Sequence, residues 1–143
     1  MARAVDLGTE EIVRTLKSDE AKKAYEENGV LAAYLYGSAA EGSLGVGVAF
    51  AESVAQPRYA AHVARVQARL KALLNTDDPQ VVCVEEDSPE LAFAVLRQPV
   101  VLYKADQHEA AELEIKLIGI YYDWVEHCRV MSTFARGAEH ADR

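Results

Sequence analysis

Apolar and polar positions along this chain switch between two periods, and each switch marks an element. Thr9 supplies a hydroxyl for capping, Glu10 and Glu11 add carboxylates in the first turn, and Ile12, Val13 and Leu16 follow as an apolar stripe. That order predicts one helix, closed by Asn28-Gly29. Val30 to Tyr36 is a continuous apolar run between Gly29 and Gly37, which predicts a buried strand. Gly37 to Gly45 is rich in glycine and small residues and reads as a turn, and Val46 to Phe50 as a second strand. Pro57 opens a helix to about Asn75 with two distinct faces: Val63, Val66, Leu70 and Leu73 on one, Arg58, His62, Arg65 and Arg69 on another. Asp77-Asp78-Pro79 is a turn and Gln80 to Val84 a third strand. Ser88-Pro89-Glu90 has the order of an N-cap, a proline at the first helical position and an acidic first turn, starting a helix to about Arg97. Pro99 to Tyr103 is a short fourth strand, placed at a sheet edge by its leading proline. A last helix runs from Asp106 to about Arg136, with Gly119 inside it at modest cost.

Helices and strands thus mix in the order α-β-β-α-β-α-β-α, which predicts an α/β or α+β fold: a small mixed sheet with flanking helices and a long C-terminal helix. The 143 residues suffice for one domain, expected over 1–136, with 137–143 as a flexible polar tail. There is no internal repeat.

Charge narrows the function. The chain carries 23 acidic against 15 basic side chains, a net charge of −8, and such a surface repels phosphate backbones. Nucleic acid is therefore a poor partner and a basic protein a better one. No apolar run approaches the roughly 20 residues that span a bilayer, and Met1 to Gly8 lacks the apolar core of a signal peptide. The expectation is a cytoplasmic protein without a membrane partner. Cys83 and Cys128 sit in apolar settings without metal-ligand spacing, as buried free thiols would. His62, His108, His127 and His140 form no paired-ligand pattern, and Ser38 has no evident His/Asp companions.

One segment carries more specific chemistry. Leu35-Tyr36-Gly37-Ser38-Ala39-Ala40-Glu41-Gly42 resembles the signature turn of the minimal nucleotidyltransferases, relatives of the polymerase-β fold. In that family a buried strand ends in Gly-Ser, where backbone N–H groups and a hydroxyl can hold phosphate oxygens. The stretch Ser88-Pro89-Glu90-Leu91 through Arg97, followed by Val100-Val101-Leu102-Tyr103, is similar to the family's C-terminal half. The resemblance covers most of Val30 to Val130 in the family's order.

It fails where catalysis would sit. Active members follow Gly-Ser with an Asp-x-Asp strand and a third carboxylate on a later strand, because two Mg²⁺ ions must be held by anionic oxygens. Here Gly45 and Gly47 occupy the two aspartate positions, the third falls near Gln80, and the preceding loop is shorter. Glu41, Glu52, Glu85, Glu86 and Asp87 are each residues out of register, and a strand rises about 3.3 Å per residue. The resemblance therefore implies a degenerate member: no catalytic residues and no metal, with Gly37 and Ser38 as vestiges of nucleotide binding. Members of this family are often encoded beside a HEPN-domain ribonuclease, which active versions silence by transferring AMP to it. What the resemblance implies is an antitoxin that binds a HEPN-type toxin without cofactor. The alternative is an active enzyme with relocated ligands, using Mg²⁺ and ATP to transfer AMP to a protein.

The last helix bears on that partner. Leu113, Leu117, Ile120, Trp124, Cys128 and Met131 form one stripe at about 100° per residue, and Ile115, Ile118, Tyr122 and Val125 lie opposite. Either the second face is sandwiched inside the fold, under the first helix for example, or it is an interface with a second copy or a partner.

Overall fold

The computed structural model describes residues 10–36, 45–74, 80–86, 88–97 and 100–141. The elements are α1 (residues 10–16), α2 (Asp19–Glu27), β1 (Val30–Tyr36), β2 (Gly45–Phe50), α3 (Tyr59–Leu74), β3 (Gln80–Cys83), α4 (Pro89–Leu96), β4 (Val100–Lys104) and α5 (Gln107–Ala141). The four strands form one mixed sheet in the order β3-β2-β1-β4. β1 is antiparallel to both neighbours, and β2 runs parallel to β3.

The sheet has a core on each side. Leu16, Tyr25, Ala33, Val46, Val48, Val66 and Leu70 pack on one face, beneath α1, α2 and α3. Tyr34, Ala49, Ala92, Val95, Ala110 and Leu117 pack on the other, beneath α4 and α5. With both faces covered, β1 and β2 are buried almost throughout, which is why they read as unbroken apolar runs rather than as alternating strands.

The expected first helix is in fact two. Ser18 breaks it: its Oγ donates to Thr15 O at 2.6 Å, accepts from Ala21 N at 3.3 Å, and so caps α2, with Asp19 and Glu20 in the new first turn. Tyr25 then ties the two pieces by donating from its hydroxyl to Leu16 O at 3.1 Å. The stop at Asn28-Gly29 forms as expected, with Gly29 in the left-handed region at φ 68°. Asn28 is buried; its Nδ2 donates to Ala24 O at 2.8 Å, and its Oδ1 meets His62 Nδ1 at 3.1 Å.

Other boundaries shift for local reasons. Pro57 opens a single 3-10 turn (Gln56–Arg58), and α3 proper begins at Tyr59. Ser88 precedes α4 without a side-chain cap; its carbonyl accepts Ala92 N instead. α5 continues past the expected end at Arg136 to Ala141. Among the described residues no helix is long and apolar enough to cross a membrane.

Candidate functional site

The three positions at which the resemblance puts carboxylates, Gly45, Gly47 and Gln80, come together at one end of the sheet. Gly45 and Gly47 lie two residues apart on β2, and the β2–β3 register sets Gly45 beside Gln80 and Gly47 beside Val82.

The space in front of the two glycines is occupied. A Cβ placed on Gly45 would lie 2.7 Å from Cζ of Tyr36, its cross-strand partner on β1. One placed on Gly47 would lie 2.7 Å from Val95 Cγ1 and 2.9 Å from Val84 Cγ2. Real side chains do not approach so closely, so neither position admits an aspartate without displacing its neighbour. Ala49, the next residue on this face of β2, joins the same core as Val84 and Val95. The row Gly45, Gly47, Ala49 is a shallow trough that lets Tyr36 and α4 settle onto the sheet. The Tyr36 ring covers Gly45, and burial raises its phenol above the ordinary tyrosine value. The groups facing the two glycines are the Tyr36 ring with its hydroxyl and the methyls of Val84 and Val95.

Two of the carboxylates considered as substitutes are engaged elsewhere. Glu85 Oε2 faces Cys83 Sγ at 3.7 Å, and Glu86 forms an ion pair with Lys116 of α5. Among the described residues no group of three or more His, Cys, Asp or Glu is placed to hold a metal ion. Gly37, Ser38, Glu41 and Asp87 lie outside the described residues.

With the sheet order, the flanking helices and this strand end in view, comparison with solved structures becomes informative. A chain from the rebuilt complex of a tri-AMPylated Shewanella oneidensis HEPN toxin with an MNT antitoxin superposes with TM-score 0.61 at 18% identity, over 85% of this chain and 97% of that one. A chain of the MntA-HepT toxin–antitoxin gives 0.58 at 18% identity, over 85% and 97%. One from a toxin–antitoxin structure with AMP-PNP gives 0.57 at 17% identity, over 82% and 97%. This is the MNT nucleotidyltransferase fold. No family model matches the chain, and no curated protein does. At such identities the likeness lies in the backbone, and what the MNT fold does here must be read from this chain's own side chains.

On α5 the predicted second face is open. Ile115 is 73% exposed, Tyr122 59% and Val125 39%, whereas Ile118 is partly buried against the core. α1 cannot cover this face, because it packs on the opposite side of the sheet. The inward stripe of α5 is also shorter than its sequence suggests. Leu113 and Leu117 join the core, but Cys128 is exposed and Met131 and Phe134 are 55% and 73% exposed, because the helix runs beyond the body of the domain. The expectation of two buried thiols fails accordingly: Cys128 is exposed, and Cys83 is half-buried, with burial and the Glu85 charge pushing its thiol up to about 12. Tyr121 stacks on Phe93 of α4 with ring centroids 3.9 Å apart, one of the contacts that lock α5 to α4.

The basic row of α3 is partly structural. Arg69 pairs with Glu27 at 2.9 Å and His62 meets Asn28, so both tie α3 to the end of α2, while Arg58 and Arg65 face solvent. Sequence reasoning missed a groove on the other side. Two hollows of about 250 and 300 Å³ adjoin where α5 passes the far ends of β2 and β3, and they share Phe50 and Leu113 as a wall. Its signal in the sequence is Glu52, Glu85 and Glu86, carboxylates that follow the ends of β2 and β3.

Proposed function

We propose that this chain is a catalytically degenerate member of the MNT nucleotidyltransferase family that acts by binding a HEPN-type ribonuclease toxin, as an antitoxin without nucleotidyl transfer. The observation that carries this reading is the filling of the aspartate positions: Tyr36 lies over Gly45, and Val95 and Val84 lie over Gly47. A missing ligand could be supplied by a neighbour. A site faced by the Tyr36 ring and two valines has lost space as well as charge, and it offers hard cations the neutral Tyr36 hydroxyl where carboxylates would be needed. Neutralisation then rests on occlusion of the toxin, and the open face of α5 at Ile115, Tyr122 and Val125 is the surface for it, with aromatic and aliphatic side chains of the kind that anchor interfaces. The partner assignment is supported by the solved complexes of the same fold, in which an MNT antitoxin is bound to a HEPN toxin.

The test is co-expression with a HEPN-domain protein encoded beside this chain, followed by gel filtration and intact-mass measurement of the partner after incubation with ATP and Mg²⁺. The expected result is a stable complex whose partner keeps its unmodified mass and loses ribonuclease activity. A partner that gains AMP would overturn the non-catalytic reading in favour of relocated ligands. Failure to form a complex would overturn the partner.

A further inference from the structure

The groove along the first half of α5 has a composition that selects its occupant. Its two hollows have an apolar wall in common, Phe50 and Leu113, with Leu31 in one and Leu117 in the other. Around these apolar groups stand Glu52, Glu85, Glu86, Glu109 and Glu112, with Lys116 as the only cation among the lining residues. Lys116 is not free, because it is paired with Glu86. Glu86 lines one hollow and Lys116 the other, so their ion pair joins the two. The field is felt by its neighbours: burial, then Cys83, Glu85 and Glu86, raises the phenol of Tyr59 at the groove wall.

We propose that this groove is a docking site for a basic amphipathic segment of a partner protein, one whose apolar side chain enters a hollow while flanking arginines or lysines meet the glutamate rim. The commitment to a basic protein segment follows from charge. A second copy would bring another net −8 to a negative groove, and a nucleic acid would bring phosphates; both are repelled. A free cation would satisfy the rim and leave the apolar wall exposed. An arginine-flanked apolar residue satisfies both, and its guanidinium can take Glu86 from Lys116, since an exposed ion pair contributes little and exchanges readily. The inference deepens the proposed function, resting on the reading that the chain works by binding a protein, and places a second contact surface beside the open face of α5.

The test uses the full chain and a fluorescent peptide with one leucine flanked on each side by two arginines, read by anisotropy. Controls are the same peptide with serine for leucine, and with glutamate for arginine. Glu52→Lys/Glu109→Lys neutralises the rim, and Glu10→Lys/Glu11→Lys makes the same change of net charge on the other side of the sheet; thermal melts check that both variants fold. The expected result is loss of affinity by more than about tenfold in the rim variant and less than about twofold in the distant one, a comparable loss for the serine peptide, and tighter binding by Lys116→Met. Equal loss in both variants, indifference to the leucine, or no binding by the unmodified chain would overturn the proposal. Repeating the two variants in the HEPN co-expression separates the readings. A complex that survives neutralisation of the rim sinks the groove and leaves the partner standing. Peptide binding that obeys the rim, without any HEPN complex, leaves the groove standing and removes the partner.

Discussion

Gly47 on β2 and Val95 on α4 are so close that a single added carbon on the glycine would lie 2.7 Å from the valine's Cγ1. The glycine is thus a packing residue, and the helix that follows β3 sits where an aspartate would otherwise project.

Gly47→Asp should therefore not rebuild an active site. It forces a carboxylate against the methyls of Val95 and Val84, combining overpacking with a buried charge among apolar groups. The expected loss is at least about 3 kcal/mol in urea unfolding, with no gain of Mg²⁺-dependent ATP binding by calorimetry. Val95→Ala alone should destabilise, yet combined with Gly47→Asp it should recover part of the loss, because the two side chains compete for one volume. Strict additivity of the pair would contradict the packing account.

Much of the fold was legible because burial on both faces writes itself as continuous apolar runs. Val30 to Tyr36 was placed to the residue for that reason, and Asn28-Gly29 marked the helix end through a conformation that glycine adopts without cost. The break at Ser18 was hidden, since a serine inside a helical pattern reads equally as a solvent-facing residue, and only its paired bonds to Thr15 and Ala21 decide otherwise. At the site, the sequence has Gly45, Gly47 and Gln80 where the resemblance puts acids. It could not show what fills them, because Tyr36, Val84 and Val95 come from three separate elements and meet only after the sheet and α4 assemble. The acidic groove was illegible for the same reason: Glu52 and Glu109 are far apart in sequence and line the same hollow only through the passage of α5.

If the open face of α5 is an interface, charge placed there should cost binding and spare folding. Ile115→Lys with Tyr122→Lys changes two well-exposed positions on one helix face. Stability should move by no more than about 0.5 kcal/mol per site, as for surface substitutions generally. The complex with the HEPN protein should weaken by more than about tenfold in a titration, a loss of the size that truncated anchor residues cause. Unchanged affinity would remove this face from the interface.

Alkaline stability follows from two tyrosines. Tyr25 is fully buried and its phenol is raised by desolvation; Tyr34 is raised by burial and by its 2.5 Å hydrogen bond to Glu114 and that carboxylate's charge. Both groups have a folded-state pKa above the unfolded value, so the unfolded chain releases its protons first as pH rises. Their contribution is whole below about pH 10 and is lost progressively above it, at up to about 1.4 kcal/mol per pH unit for Tyr25. Melting temperature should fall from pH 10 upward, and Tyr34→Phe, which cannot ionise, should fall less steeply while starting lower for want of the Glu114 bond. A flat profile to pH 12 would contradict the burial of these phenols.

The two thiols should react very differently, and the difference tests where the body of the domain ends. Cys128 lies on the inward stripe by helical spacing, about three turns beyond the buried Leu117, so a sequence-based view places it in the core with Cys83. In the structure α5 has left the sheet by that point, and Cys128 is exposed along with Met131 and Phe134. Cys83 stays half-buried on β3, its thiolate disfavoured by burial and by Glu85 Oε2 at 3.7 Å. Since thiolate fraction and access together set the rate, a maleimide at neutral pH should label Cys128 within minutes and leave Cys83 unmodified until the chain is unfolded. Formation of the HEPN complex should slow Cys128 only if the partner reaches the protruding end of α5, whereas slow labelling in the free chain would mean that this end of the helix is already covered.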